Sequence, residues 1–348
     1  MVKPNRINLA IIGMGRMGIT HYSIINSHPD VVIKAVADTS SLVLSLMKKY
    51  IISIHTYSDY KELFEKENLD AVIICTPPAF HYTVAMKAAE KGIHVFSEKP
   101  FTTEKLKANE LAVLFENKQL VNQVGYVNRF NDVFQAIRVY ITDGVIGNII
   151  RFKFEMYSRT ITKSEEGKTW RDSRENGGGA VFEMASHAID LVNYLIGKPD
   201  KVIGSHLTRI YSKNVEDAVN STFIYKNGIS GTLDVNWSDE SFRKPTNKIE
   251  VFGSRGKILA DQHGFKIYLK EKLPGHNLIK GWNTRYITDI FKPVPFYVRG
   301  NEFTSQLYHF VDCIKNKEKK NQCTFRDATD THYVIEEIFY DYEQNGKI

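Results

Sequence analysis

The chain has 348 residues, of which 43% are hydrophobic and 25% charged, a balance that supports packed cores, rules out a largely disordered chain and, at this length, points to two domains. Its 46 Lys and Arg exceed its 40 Asp and Glu by a net charge of +6; these charges are spread out rather than gathered into a nucleic-acid footprint, and no apolar run approaches the ~20 residues that cross a bilayer. Cys75, Cys313 and Cys323 have neither metal-ligand nor redox spacing, and residues 1–6 lead straight into a strand instead of a signal peptide, so a cytoplasmic location is expected.

In chain order, residues 7–12 form an apolar run expected for a strand buried on both faces. The run ends at Gly13, Met14, Gly15, Arg16, Met17 and Gly18, and a helix is expected from there to about residue 27. Strand, glycine turn and helix in this order suit a dinucleotide: Gly13 for the tight turn, Gly15 for approach of the pyrophosphate, Gly18 for close helix–strand packing. The next strand, 31–37, ends in Asp38, twenty residues beyond Gly18. An acidic side chain there accepts hydrogen bonds from a ribose and repels a 2′-phosphate, which favours NAD over NADP. After a helix at 59–66, a further buried strand, 69–75, ends at Thr76, Pro77 and Pro78, followed by His81 and a helix at 82–91. Thr76, Pro77 and His81 should therefore stand at the ligand edge of a parallel sheet. His81 could touch the cofactor or cap the following helix. Strand 93–96 then delivers Glu98, Lys99 and Pro100 to the same edge, making Lys99 a catalytic candidate. A helix at 103–117 and a strand at 120–125 complete a domain over residues 1–125.

The pattern then changes to one helix, 132–142, and long strands at 149–157, 202–211, 218–225, 229–237, 248–252, 257–260 and 266–269. Ile229, Gly231, Leu233, Val235 and Trp237 alternate with polar residues, and Asn227 and Gly228 read as a hairpin turn. The expected architecture is an α/β Rossmann domain followed by an α+β domain, 126–348, with a large, mainly antiparallel open sheet. Helices at 302–316 and 328–343 end the chain, the last packing on either domain. Within the second domain, Gly177, Gly178 and Gly179 precede a helix reaching Leu195. The three glycines suggest a closely approached backbone. Helical spacing puts Glu183, His187 and Asp190 on one face, where carboxylates can orient a histidine for proton transfer. No further His or Cys stands at ligand spacing, and no metal is expected.

Taken together, the Gly13–Gly18 fingerprint, Thr76-Pro77-Pro78 with His81, Glu98-Lys99-Pro100, Gly125-Tyr126 followed by Asn128-Arg129-Phe130, Trp170-Arg171, and the glycines leading to His187 and Asp190 resemble the Gfo/Idh/MocA oxidoreductases over essentially the whole chain. The resemblance implies NAD(P)-dependent oxidation or reduction of a sugar or cyclitol hydroxyl, and homodimers or homotetramers formed through the second domain's sheet. It implies Lys99 and His187 as catalytic residues, with the hydroxyl lying between them, one removing its proton and the other stabilising the alkoxide. Substrate contacts are implied for Arg129, Trp170, Arg171 and Glu183, the last standing where many members carry aspartate. Cofactor contacts are implied for Gly13, Gly15, Arg16, Met17, Gly18, Asp38, Thr76, Pro77, His81, Glu98 and Lys99. Arg151, Lys153, Arg159, Lys163, Lys168, Arg171 and Arg174 outnumber four acidic residues in 151–174, which leans towards a nucleotide-linked sugar. Two alternatives stand beside this: a glycosidase that oxidises its substrate transiently with held NAD, and a dinucleotide-sensing regulator without catalysis.

Overall fold

The computed structural model describes residues 6–51, 53–163, 169–273 and 275–345, so Lys168 of the basic stretch lies outside the described residues. The chain divides into two units, Met1–Val127 with Pro293–Thr329, and Asn128–Lys292 with Asp330–Ile348.

The first unit is built on six parallel strands, β1 (Ile7–Ile12), β2 (Val31–Ala37), β3 (His55–Tyr57), β4 (Ala71–Ile74), β5 (His94–Ser97) and β6 (Asn122–Val124), in the order β3-β2-β1-β4-β5-β6. Every residue of β4 and all but Asn8 of β1 are buried, as continuous apolar runs in a sheet covered on both faces must be. Strand order reverses between β1 and β4, so the turns after these two strands border the crevice in which such sheets bind ligands. The segment from Pro293 returns to this unit: Leu307, Phe310 and Val311 of the helix Asn301–Lys315 join the core of Leu9, Ile11, Ile24 and Phe96. The helix Ser41–Tyr50 and strand β3, which the hydrophobic pattern does not announce, are also present.

The second unit holds eight strands, β7 (Ile149–Tyr157), β8 (Lys201–Thr208), β9 (Ala218–Ile224), β10 (Ser230–Asn236), β11 (Lys248–Gly253), β12 (Gly256–Asp261), β13 (Gly264–Leu269) and β14 (Gly281–Tyr286), ordered β14-β13-β12-β11-β7-β10-β9-β8. Only β7 and β10 run parallel among these neighbours. Their register places Phe154 beside Leu233 and Met156 beside Val235 on the buried face. Gly231 makes room for Phe152, whose ring would lie 2.2 Å from a Cβ there. The expected hairpin turn joins β9 to β10, with Gly228 at φ +87°. The core contains residues of the helices Asp132–Thr142 and Ser186–Leu195, with Val334, Ile335, Ile338 and Phe339 of the last helix, Phe325–Asn345. The opposite side of the strands is polar, carrying the ion pairs Lys153–Glu155 at 2.6 Å and Lys257–Glu250 at 2.8 Å. Among the described residues no helix is long and apolar enough to cross a membrane.

Candidate active site

The glycine turn is dictated by space. Gly13 has φ +91°, and a Cβ on it would lie 2.6 Å from the carbonyl carbon of Cys75, because the turn after β4 packs directly on the turn after β1. A Cβ on Gly18 would stand 2.0 Å from the carbonyl oxygen of Gly13. Gly15 differs: nothing lies within 4 Å of its added Cβ, and its position caps the helix Arg16–Ile25, which has no acidic residue in its first turn and no side-chain cap. Its free amides thus face open space suited to phosphate. Asp38 follows β2; its Oδ2 accepts the Met14 N–H at 2.6 Å and its Oδ1 the Ser40 N–H at 2.8 Å, leaving further lone pairs for a ribose. Beside Pro77, the buried Oγ1 of Thr76 has no hydrogen-bond partner. An open glycine, a half-exposed carboxylate and an orphaned hydroxyl at adjoining strand ends fit a dinucleotide.

At the end of β5, residues 95–102 are buried with one exception, Lys99. The corner is held by Glu98, 8% exposed, whose Oε1 lies 2.6 Å from Nε2 of His21 and whose Oε2 accepts the Lys99 N–H at 3.1 Å. Burial alone would push the Glu98 carboxyl up, but the His21 hydrogen bond and charge, with Lys99, bring it below its usual range. Gly125 packs closely here: a Cβ on it would lie 3.2 Å from that carboxylate. His81 is 1% exposed, with Nδ1 3.0 Å from the Pro100 carbonyl and Nε2 2.8 Å from that of Thr76. Burial lowers its pKa against the pull of those carbonyls, so a neutral ring donates to only one of them and fills the space between the Thr76 turn and the Lys99 corner.

In the second unit, two of the three glycines are approached by the chain itself. A Cβ on Gly178 would lie 2.2 Å from the Arg171 carbonyl, and one on Gly179 2.3 Å from Oε1 of Glu216. These contacts fix Trp170 and Arg171 against the start of the following helix, with the Arg171 guanidinium 4.8 Å from the Trp170 ring and 3.3 Å from Glu183. That helix opens with a π turn, Val181–Ala185, before Ser186–Leu195, an irregularity common at functional sites. The three residues of the expected stripe differ in burial. Asp190 is fully buried and bound by Arg129, itself 3% exposed, through Nε at 2.9 Å and Nη2 at 2.7 Å. Glu183 and His187 are the residues of 177–192 that are not buried. The basic stretch is dispersed: Lys153 pairs with Glu155 on the sheet, and Arg174 stacks 3.6 Å from the Phe339 ring centre.

Two contributors escape sequence reasoning. His21 looks like any polar residue of an amphipathic helix, and Glu216 reads as a turn carboxylate. Glu216 accepts the Val181 N–H at 2.9 Å, and burial, opposed by that bond and by Arg174, raises its pKa to about 7.

Residues 7–126 match the family described as oxidoreductase, NAD-binding Rossmann fold, and residues 134–259 match the GFO/IDH/MocA C-terminal domain, together more than half of the chain. The chain is 25% identical to myo-inositol 2-dehydrogenase of Thermotoga maritima over 262 residues, 73% of this chain and 75% of that one. It is 24% identical to scyllo-inositol 2-dehydrogenase (NAD(+)) of Bacillus subtilis over 320 residues, 90% and 87% of the two chains. Levoglucosan dehydrogenase in complex with NADH and levoglucosan shares the fold, with a TM-score of 0.86 at 20% identity over 97% of this chain and 98% of that one.

Two outcomes follow from this geometry. Gly15→Ala should fold normally, because its Cβ meets only open space, yet weaken NADH binding by about tenfold or more, whereas Gly18→Ala should lower the melting temperature. Wild-type NADH affinity in Gly15→Ala would show that the phosphates sit elsewhere. Glu216 has a folded pKa above its unfolded one, so its contribution is fully present below about pH 4.5 and is lost as pH rises through about 7. Glu216→Gln should therefore gain about 3 kcal/mol over wild type at pH 8 and under about 1 kcal/mol at pH 5, read by denaturant unfolding. An equal difference at both pH values would contradict it.

Proposed function

The chain belongs to the GFO/IDH/MocA oxidoreductase family, with an NAD-binding Rossmann domain, and from that premise we propose that it is an NAD-dependent dehydrogenase acting on a ring hydroxyl of a cyclitol or sugar. The observation that carries this reading is selective exposure. In two stretches that are otherwise buried, 95–102 and 177–192, the accessible residues are Lys99 in one and Glu183 and His187 in the other. Buried backbone on both sides fixes where these side chains start, as proton transfer to or from a bound hydroxyl requires. The inositol dehydrogenase names of two relatives support a polyhydroxylated ring as substrate.

When bound, NAD supplies the acceptor for the hydrogen of the carbinol carbon. Lys99 and His187 divide the remaining tasks: one takes the hydroxyl proton, the other donates a hydrogen bond to the oxygen as negative charge develops on it. Glu183, paired with Arg171, accepts from a neighbouring ring hydroxyl, and Trp170 offers an apolar face to the ring. Arg129 acts at one remove, by holding Asp190 on the helix that carries His187. Arg171 is also the observation that favours a second reading within the same class, a nucleotide-linked sugar whose phosphates need a cation. Copies of the chain assemble as a homodimer or homotetramer through the open face of β7–β14, where the exposed rings of Tyr268 and Trp282 lie 5.4 Å apart among the charges.

A panel of myo-inositol, scyllo-inositol, levoglucosan and nucleotide-linked sugars with NAD, followed by NADH absorbance, should give turnover with at least one member. Lys99→Ala and His187→Ala should each lower kcat by about 10²–10⁴ while cofactor stays bound. No turnover on any polyol or sugar by a protein that binds NADH would sink the dehydrogenase reading.

A further inference from the structure

The glycine fingerprint carries one cation, Arg16, the first residue of its helix. A second approaches the same turn from the other end of the sequence. Along the returning segment from Pro293, the exposed Arg299 points Nη1 at Sδ of Met17 across 3.5 Å, and its guanidinium carbon lies 5.0 Å from the centre of the Phe303 ring. Phe303 and Met17 thus steer an otherwise mobile side chain towards the first turn of the fingerprint helix.

The charges around it are unbalanced. Arg299 feels repulsion from Arg16 and smaller attractions from Glu98 and Glu302. Glu98 is already engaged by His21 and the Lys99 amide, and among the described residues neither Arg16 nor Arg299 forms an ion pair. Two guanidinium groups that repel each other beside an open glycine are stabilised when an anion joins them. A dinucleotide carries one negative charge on each of its two phosphates, which matches the two cations, and a guanidinium fork suits phosphate oxygens.

We propose that Arg299 is a pyrophosphate-binding residue that, with Arg16, clamps the two phosphates of NAD over Gly15. The segment that bears it is then part of the cofactor site, and cofactor affinity depends on residues outside the fingerprint. This inference rests on dinucleotide binding and not on the substrate proposed above.

The test is Arg299→Ala, with NADH binding followed by fluorescence and with ADP-ribose and adenosine as competitors. Loss of one charge-assisted phosphate contact should weaken NADH and ADP-ribose by about tenfold or more and leave adenosine, which has no phosphate, nearly unchanged. Added salt should weaken NADH binding more steeply in the wild type than in the variant. Unchanged NADH affinity would overturn the proposal. So would an equal loss for adenosine, which would mean that the substitution loosens the fold instead of removing a phosphate contact.

Discussion

A carboxylate removed from water must be held by donors or give up its charge, and Glu98 meets this demand by joining three parts of the first unit. Its partner His21 lies on the fingerprint helix, its second oxygen holds the Lys99 amide, and Gly125 after β6 leaves space for it. The fingerprint helix and the corner that presents Lys99 are therefore set by one buried group. The buried His81 ring packs between the Thr76 turn and Pro100, one carbonyl at each ring nitrogen. A side chain that must handle a proton near a bound cofactor gains from this arrangement, because its backbone cannot drift independently of the cofactor's seat.

The second unit solves a similar problem with glycines. Arg171 and Glu216 press on Gly178 and Gly179 so closely that side chains there would overlap them. The turn they shape starts the helix that exposes Glu183 and His187. Below that surface, Arg129 and Asp190 form a buried pair. Such a pair is weak evidence for added stability but a strong constraint on geometry, since removing either partner leaves a charge buried alone. The helix carrying His187 is thus anchored from beneath by charge and at its start by close backbone packing.

Most of the fold was legible because its signals are local. The continuous apolar runs of β1 and β4, the alternation of β10 and the Asn227-Gly228 turn each announce their element. The helix Ser41–Tyr50 was hidden because it buries none of its residues, β3 because it has three residues, and β14 because its Gly-Trp-Asn-Thr-Arg-Tyr sequence lacks an apolar alternation. The positions of Gly13, Gly15, Gly18, Asp38 and Lys99, at the ends of β1, β2 and β5, were readable from the strand and turn pattern. The partners of buried charges were not: nothing in the sequence pairs His21 with Glu98 or Arg129 with Asp190, which are 77 and 61 residues apart. Helical spacing put Glu183, His187 and Asp190 on one face, but it did not show that Asp190 is buried against Arg129 while the other two keep some exposure.

The central claim is that this chain transfers hydrogen directly from a ring carbinol carbon to NAD. It is tested most directly with an accepted cyclitol or sugar deuterated at its carbinol carbons, by measuring deuterium in the NADH formed. The account predicts one deuterium per NADH and a slower rate with the labelled substrate. Turnover that leaves the reduced cofactor unlabelled would contradict it.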